Sequence, residues 1–359
     1  MTAAAVNGRC RKNTVADHSG GRHMLDRDQL ETFATVIEQQ SFERAAAVLS
    51  ITRGAVSQRI KALEESLSTV LVVRERPISP TQAGETVLRY VKALRILEGS
   101  VLQALAPTPK PHAPVPIAIA VNADSLATWF PEVLRELLLS PLIALEVIAD
   151  DQDHTSALLA RGDVIGCIST GSKPAEGFSA ELLGAMEYRC YATPTFANTL
   201  FPDGLTVPSV LAAPAVLFNR KDSLHDDFLK RWFGFAIERY AKHYLPSPVA
   251  LLEGVAMGAG YGLVPSSQAA PLVDAGQLLD LCPDERVMVD LYWHHWDLEP
   301  PLARDISALI VRVARMNLDA SAGPETQAVS TPINSSVQGL NHVAAAPPGD
   351  HVQAQSHND

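Results

Sequence analysis

Thr52, Arg53, Ser57, Gln58 and Lys61 stand close together, and on a helix with Val56 and Ile60 turned inward they share its outward side. Arginine forms paired hydrogen bonds with guanine and glutamine with adenine, so Arg53 and Gln58 suit the reading of base edges. Ser57 and Lys61, with Arg74 and Thr81 further on, suit phosphate oxygens, which fix register without conveying sequence. A second set of polar residues follows short apolar runs: Asn122, Asp124 and Ser125; Asp150, Asp151 and Asp153; Ser169; Asn219 and Arg220. At the carboxyl ends of strands such groups line ligand clefts, yet Asp and Ser at a helix start also serve as plain caps. The helix start at Asn122, Asp124 and Ser125 suits a ligand carboxylate, and Arg220 either holds such a carboxylate or sits on the cleft edge. Both the ligand and the plain reading stand at this level.

Catalytic patterns are missing. There is no nucleophile elbow, no phosphate loop and no ordered triad, so an enzyme is not expected. Cys10, Cys167, Cys190 and Cys282 lie far apart without a CxxC pair, which predicts free, mostly buried thiols and neither a zinc nor a redox site. His294 and His295 beside Trp293 and Trp296 have no third ligand spaced to join them and read as solvated histidines on an aromatic strand. Gly258, Gly260 and Gly262 are too irregular for a nucleotide fingerprint and suggest tight backbone packing. No cofactor is called for.

The elements that position these residues follow from periodicity. Leu30, Phe33, Ala34 and Ile37 recur at helical spacing after Asp26, which predicts a helix to about residue 40. Ser41 caps a second short helix to about residue 49, and Thr52 caps a third over 53–67 with Val56, Ile60, Leu63 and Leu67 inward. Residues 71–73 and 77–80 make two short extended pieces around Arg74, Glu75 and Arg76, the composition of a small β-wing. A long helix is expected over 81–105, with Val87, Val91, Leu94, Val101 and Leu105 near heptad spacing, a stripe that needs a partner chain. The proline-rich stretch 107–115 then forms a stiff hinge. Beyond it strand-like runs at 117–121, 144–149, 164–169, 188–192, 215–218, 261–264 and 287–293 alternate with helical ones. Those helices begin at Ser125 and Thr155 and span 226–235, 249–258 and 301–317, which implies a parallel sheet with crossover helices.

Between Leu30 and Gly84 the order of motifs resembles the LysR-type transcriptional regulators. Phe33 lies in the first helix, Ser41-Phe-Glu-Arg-Ala-Ala in the second, Ala55-Val-Ser-Gln-Arg-Ile-Lys-Ala-Leu-Glu in the third and Pro80-Thr-Gln-Ala-Gly after the wing. The later half is similar to one branch of that family, the lysine and arginine exporter regulators known as ArgP, LysG or IciA. Val121-Asn-Ala-Asp-Ser-Leu-Ala-Thr-Trp-Phe, Asp150-Asp-Gln-Asp-His-Thr, Phe218-Asn-Arg-Lys-Asp and Leu291-Tyr-Trp-His sit where that branch has similar stretches. Arg53-Gly54 departs from the family's usual Gln with Pro or Ser, and Pro246-Ser-Pro-Val-Ala replaces a Ser-rich turn.

The resemblance implies an α/β chain: an N-terminal winged helix-turn-helix (24–80), a linker and dimerisation helix (81–106), a hinge (107–115) and a two-lobed, periplasmic-binding-protein-like effector domain (116–317). Its implied partners are double-stranded promoter DNA, a small effector such as L-lysine or L-arginine, one or three further copies of the chain, and RNA polymerase. The implied outcome is control of a basic amino acid exporter gene. Asp150, Asp151 and Asp153 would then meet the cationic side chain, and Arg220 the effector carboxylate. A stand-alone amino-acid-binding protein is the alternative, and it predicts no salt-dependent DNA binding.

Composition sets outer bounds. The chain has 359 residues, and at roughly 150 residues per domain it holds two or three packed units. Net charge is -11, so a DNA-binding surface has to be a local patch; Arg53, Arg59, Lys61, Arg74 and Arg76 outnumber Glu64, Glu65 and Glu75 there. Residues 1–23 lack the apolar run of a secretory signal and are expected to be a disordered extension, with Met24 an alternative start. Residues 318–359, without Lys or Arg and dominated by Ala, Ser, Pro, Gln and Asn, are expected to be a disordered tail. The most apolar stretch, 245–265, reads as a buried helix followed by a strand and not as a membrane span, so a cytoplasmic location is expected.

Overall fold

The computed structural model describes residues 25–105, 114–149, 152–237 and 239–320. Contacts divide the chain into two units, Met1–Val91 and Lys92–Asp359. The expected N-terminal extension, most of the hinge and the tail beyond residue 320 fall outside the described residues.

In the first unit, α1 (Arg27–Gln39) starts where the Asp26 carboxylate accepts the Gln29 backbone N–H, and it ends at Gln40 in the left-handed region. Ser41 caps α2 (Phe42–Val48) and Thr52 caps α3 (Arg53–Leu67), each accepting a backbone N–H from its helix's first turn. Leu30, Phe33, Ala34, Ala45, Val56, Ile60 and Leu63 interlock as the core of this three-helix unit. Strands β1 (Val72–Val73) and β2 (Ser79–Pro80) pair antiparallel as the wing. Glu64 holds the wing on α3, because one of its carboxylate oxygens accepts the N–H groups of Leu71 and Val72. The long helix α4 (Gln82–Ala104) follows, and the boundary between the units falls within it. Val91 is buried, so the expected heptad stripe does not run exposed for its whole length; the apolar side chains left in solvent are Tyr90, Leu97, Val101, Leu102 and, just past the helix, Leu105.

The second unit contains β3 (Val115–Ala120), α5 (Ala123–Ala127), α6 (Phe130–Leu138), β4 (Ile143–Ile148), α7 (Gln152–Ala160), β5 (Gly166–Ser169) and β6 (Phe178–Ala192). Next come α8 (Pro194–Leu200), α9 (Val207–Ala212), β7 (Ala215–Leu217), α10 (Leu224–Phe233), β8 (Lys242–Tyr244) and α11 (Pro248–Ala256). It ends with β9 (Gly262–Pro265), α12 (Ser266–Asp274), β10 (Leu279–Asp280), β11 (Val287–Trp296) and α13 (Pro301–Asn317). The sheet is mixed, which corrects the parallel expectation. The order of the seven-stranded sheet is β10-β6-β11-β5-β3-β4 with β9 on β6, and within it β3 pairs in parallel with β4 and β5 while the sheet's other pairings are antiparallel; β7 and β8 form a separate parallel pair. Alternation in sequence implied crossovers throughout, but β11 returns antiparallel between β6 and β5.

Three hydrophobic clusters form among the described residues of this unit, one of them gathering Tyr191, Val216, Leu251, Val255 and Val264. Of the other two, the first includes Ile117, Ile119, Phe130, Ile168, Trp293 and Ile310, and the second Leu217, Phe228, Leu229, Tyr261 and Cys282. Strand β6 joins them: Leu183, Met186 and Tyr188 enter the first core, Cys190 and Ala192 the second. This is the two-lobed arrangement, with one long strand common to both lobes.

Several local expectations change. The helix expected from Ser125 breaks at Thr128 and Trp129 into α5 and α6. Strand β6 starts at Phe178, ten residues before its expected start at 188, because its first half lacks strict alternation. Elements α8, α9, β8, α12 and β10 had no clear periodic signal. Neither histidine of the aromatic strand is simply solvated: His294 is buried with Nε2 2.7 Å from the Gly171 carbonyl oxygen, and His295 lies 3.3 Å from Glu299. Leu318 and Asp319, expected in the tail, are ordered, with Asp319 exchanging backbone hydrogen bonds with Ala185. Cys167, Cys190 and Cys282 are free and buried, while Cys10 lies outside the described residues. Close packing accounts for two of the three glycines, since a Cβ on Gly260 would stand 2.5 Å from the Pro214 carbonyl oxygen and one on Gly262 2.7 Å from that of Val216, whereas Gly258 has room beside it and instead takes a positive φ of 81°. No described helix is long and apolar enough to cross a membrane.

Candidate nucleic-acid interface and ligand cavity

The inner stripe of α3 is consumed by the core through Val56, Ile60 and Leu63, so geometry alone turns Arg53, Ser57, Gln58 and Lys61 outward, and all four are exposed. A helix with that face free can enter a major groove. The candidates differ in what already engages them. Arg53 is ion-paired through Nε with Glu43 of α2 at 2.8 Å. Lys61 meets Glu65 at 3.5 Å and Arg74 meets Glu64 at 3.7 Å, loose exposed pairs that phosphate can displace. Thr52 spends its hydroxyl oxygen on the Ala55 N–H. Thr81 is more committed: its hydroxyl donates to the Val70 carbonyl and accepts from the Gly84 N–H, so it first serves as the start of α4. Arg59, counted in the basic patch, is bound to Asp28 at 2.8 Å and to the Thr32 hydroxyl at 3.2 Å, which makes it a tie between α1 and α3.

In the second unit a cavity of about 310 Å³ opens between the lobes. Its lining joins apolar side chains, Val216, Leu217, Leu251, Leu263 and Leu291 among them, with the carboxylates of Asp124, Asp222 and Asp227. No Lys or Arg lines it among the described residues. Tyr188 donates its hydroxyl to Asp124 at 2.7 Å. Burial pushes the Asp124 carboxyl above its usual range; the Tyr188 bond pulls it down and the Asp222 charge pushes it up further. Asp222 is raised as well, chiefly by burial, against a bond from the Leu224 N–H, with Asp226 and Asp227 adding to the rise. Carboxyl groups raised chiefly by burial, with neighbouring carboxylates adding to the rise, ionise more readily beside a cation.

His225 closes one wall. It is buried among Phe228, Tyr240 and Tyr261, both its ring nitrogens lack a hydrogen-bond partner among the described residues, and burial lowers its pKa to about 4, so it is neutral at physiological pH. Asn122 also lines the cavity, with its buried side-chain oxygen unpartnered among the described residues.

The sequence-derived ligand residues divide accordingly. Asn122 and Asp124 reach the cavity, whereas Ser125 is buried outside its lining. Ser169 is used locally, accepting the Gly171 N–H, and its neighbour Thr170 is the residue that lines the cavity. Asn219 caps the turn at Lys221 and Asp222, and Arg220 stacks 4.7 Å over the Tyr244 ring; neither lines the cavity. Asp150, Asp151 and the side chain of Asp153 lie outside the described residues. Tyr188, Asp222, His225 and Asp227 were missed. Asp222 closes the Asn219-Arg-Lys-Asp stretch and could have been found as the carboxylate following a strand; the others had no local signal.

Comparison with known proteins agrees with both halves. The model for the bacterial regulatory helix-turn-helix protein of the lysR family matches residues 27–85, and the LysR substrate binding domain matches 116–315. The HTH-type transcriptional regulator ArgP of Photobacterium profundum is 38% identical over 283 residues, covering 79% of this chain and 95% of the relative. The crystal structure of ArgP from Mycobacterium tuberculosis superposes with a TM-score of 0.74 at 35% identity, covering 83% of this chain and all of that one. Full-length LysG from Corynebacterium glutamicum with bound effector Arg gives 0.71 at 32% identity, over 82% of this chain and 99% of that one.

Proposed function

The chain belongs to the LysR family of bacterial transcriptional regulators, DNA-binding proteins and not enzymes, and from that premise we propose that it senses a basic amino acid in the cavity between its lobes. L-arginine or L-lysine is the effector, and a gene for basic amino acid export is the target. The observation that supports this best is the cavity lining, where Asp124, Asp222 and Asp227 gather with no Lys or Arg among the described lining residues. A guanidinium or ammonium there is paired with carboxylates in a low-dielectric cleft, and the apolar part of the lining receives the methylene stem. The free oxygen of Asn122 is an acceptor for the α-ammonium group. The LysG structure with bound effector Arg lends the same chemistry by relationship.

On the DNA side, Arg53 and Gln58 read base edges while Ser57, Lys61 and Arg74 hold phosphates. The exposed apolar side chains of α4 pair two copies, which places two recognition helices about one turn of duplex, ~10 bp, or a multiple of it apart. The regulator acts in the cytoplasm as a dimer or tetramer, with RNA polymerase as a further partner at the promoter.

The deciding experiment is a gel shift of full-length protein on a duplex it selects from a randomised pool, repeated with L-arginine, L-lysine and a neutral amino acid such as L-leucine. Either basic amino acid is expected to change the mobility or affinity of the complex, and leucine is not. Equal responses to all three would remove the effector assignment.

A further inference from the structure

Arg53 and Glu43 come from different helices, and neither is needed for packing: their side chains are 69% and 62% exposed. Long exposed ion pairs contribute little to stability, so the contact invites another explanation. Glu43 is itself held from the other side, because the Ser41 hydroxyl donates to its second carboxylate oxygen at 3.2 Å. Its own backbone N–H and then Arg53 keep the carboxyl below the ordinary range, so it is charged at physiological pH. Arg53 begins the helix whose N-terminal residues face base edges. A free arginine there has many rotamers, and a base contact must first restrict them.

We propose that Glu43 is a positioning residue for base recognition: from α2 it holds the Nε side of the Arg53 guanidinium, leaving the terminal nitrogens as the fork offered to a guanine. Ser41 thus does two jobs, capping α2 with its oxygen and steadying Glu43 with its proton. The acid stands close to the phosphate-facing surface and costs some attraction for every duplex, in exchange for a prearranged contact at one base pair. The inference rests on Arg53 being a base-reading residue.

The test selects a preferred duplex from a pool with a randomised central segment, using the full-length wild-type protein. Affinities are then measured for that duplex and its single-base-pair variants, with Arg53→Ala, Glu43→Ala, Glu43→Gln and the double Ala variant. Glutamine retains the chain length and removes the charge, which guards against a fault in α2. Arg53→Ala is expected to cut discrimination about tenfold at one base pair of each half-site. Both Glu43 variants are expected to cut it at that same base pair by a smaller factor, and the double variant to be no worse than Arg53→Ala. If Glu43→Ala strengthens binding to all duplexes by one common factor with every preference intact, Glu43 is a bystander charge and the inference is overturned. If Arg53→Ala changes no base preference, the Arg53 assignment itself fails first.

Discussion

At the scale of single residues, the cavity carboxylates respond to pH in a definite direction. Asp124 and Asp222 have raised pKa values in the folded chain, so relative to the unfolded chain they favour the fold at low pH and that contribution is lost as pH rises through their raised range. A cationic effector reverses the penalty by pairing with the ionised forms. The rise in melting temperature produced by L-arginine is therefore expected to be large near pH ~7.5 and to shrink as pH is lowered into the carboxyl range. A shift of equal size at pH ~7.5 and at pH ~4.5 would count against these carboxylates as the cation site. Asp222→Asn is expected to weaken L-arginine binding about tenfold or more in calorimetry, since it leaves the cation short of a partner in a desolvated cleft. His225 was silent to sequence reasoning because a lone histidine between Leu224 and Asp226 has no period or motif; only packing shows it as a neutral wall of the cavity.

At the scale of elements, two junctions can be probed. Gly84 is buried where the wing meets α4, and a Cβ there would stand 2.2 Å from the Leu71 carbonyl oxygen and 3.1 Å from the Pro80 side chain. Gly84→Ala is expected to destabilise the chain by about 1–3 kcal/mol through overpacking, read as a lowered thermal midpoint. The glycine of the Pro80-Thr-Gln-Ala-Gly stretch thus has a steric reason. On α4, Val101 is 46% exposed and Leu97 41%, side chains that a solitary helix has no cause to display. Val101→Asp is expected to shift sedimentation toward the monomer, and an unchanged sedimentation coefficient would show that copies associate elsewhere. Helices and their caps were largely legible in sequence: the ends of α3 and α13 fall where Thr52, Leu67, Pro301 and Asn317 predicted them. Short pieces such as β8 and β10 were not, because strands of two or three residues exist only through the neighbour they pair with.

At the scale of the whole molecule, coupling between effector and DNA is reciprocal, so if L-arginine changes operator affinity by some factor, operator DNA changes L-arginine affinity by the same factor. Calorimetry of L-arginine with and without the operator duplex checks this, and a mismatch in the two factors would mean that another equilibrium, such as assembly, is involved. What the sequence determined by itself was whatever a few neighbouring residues decide. Apolar spacing set the helices, Ser41 and Thr52 set where two of them begin, and the order of motifs set the winged helix-turn-helix with its outward Arg53, Ser57 and Gln58. The tertiary structure decided which polar residues meet. Asn122 and Asp124 follow β3, Tyr188 lies on β6, and Asp222, His225 and Asp227 surround the start of α10, yet all line one cavity. Their meeting depends on β11 running antiparallel between β6 and β5 and on a single strand spanning both lobes. Pairing at such separations is fixed by the total burial of the hydrophobic clusters, a property of the folded chain that no local window of sequence contains.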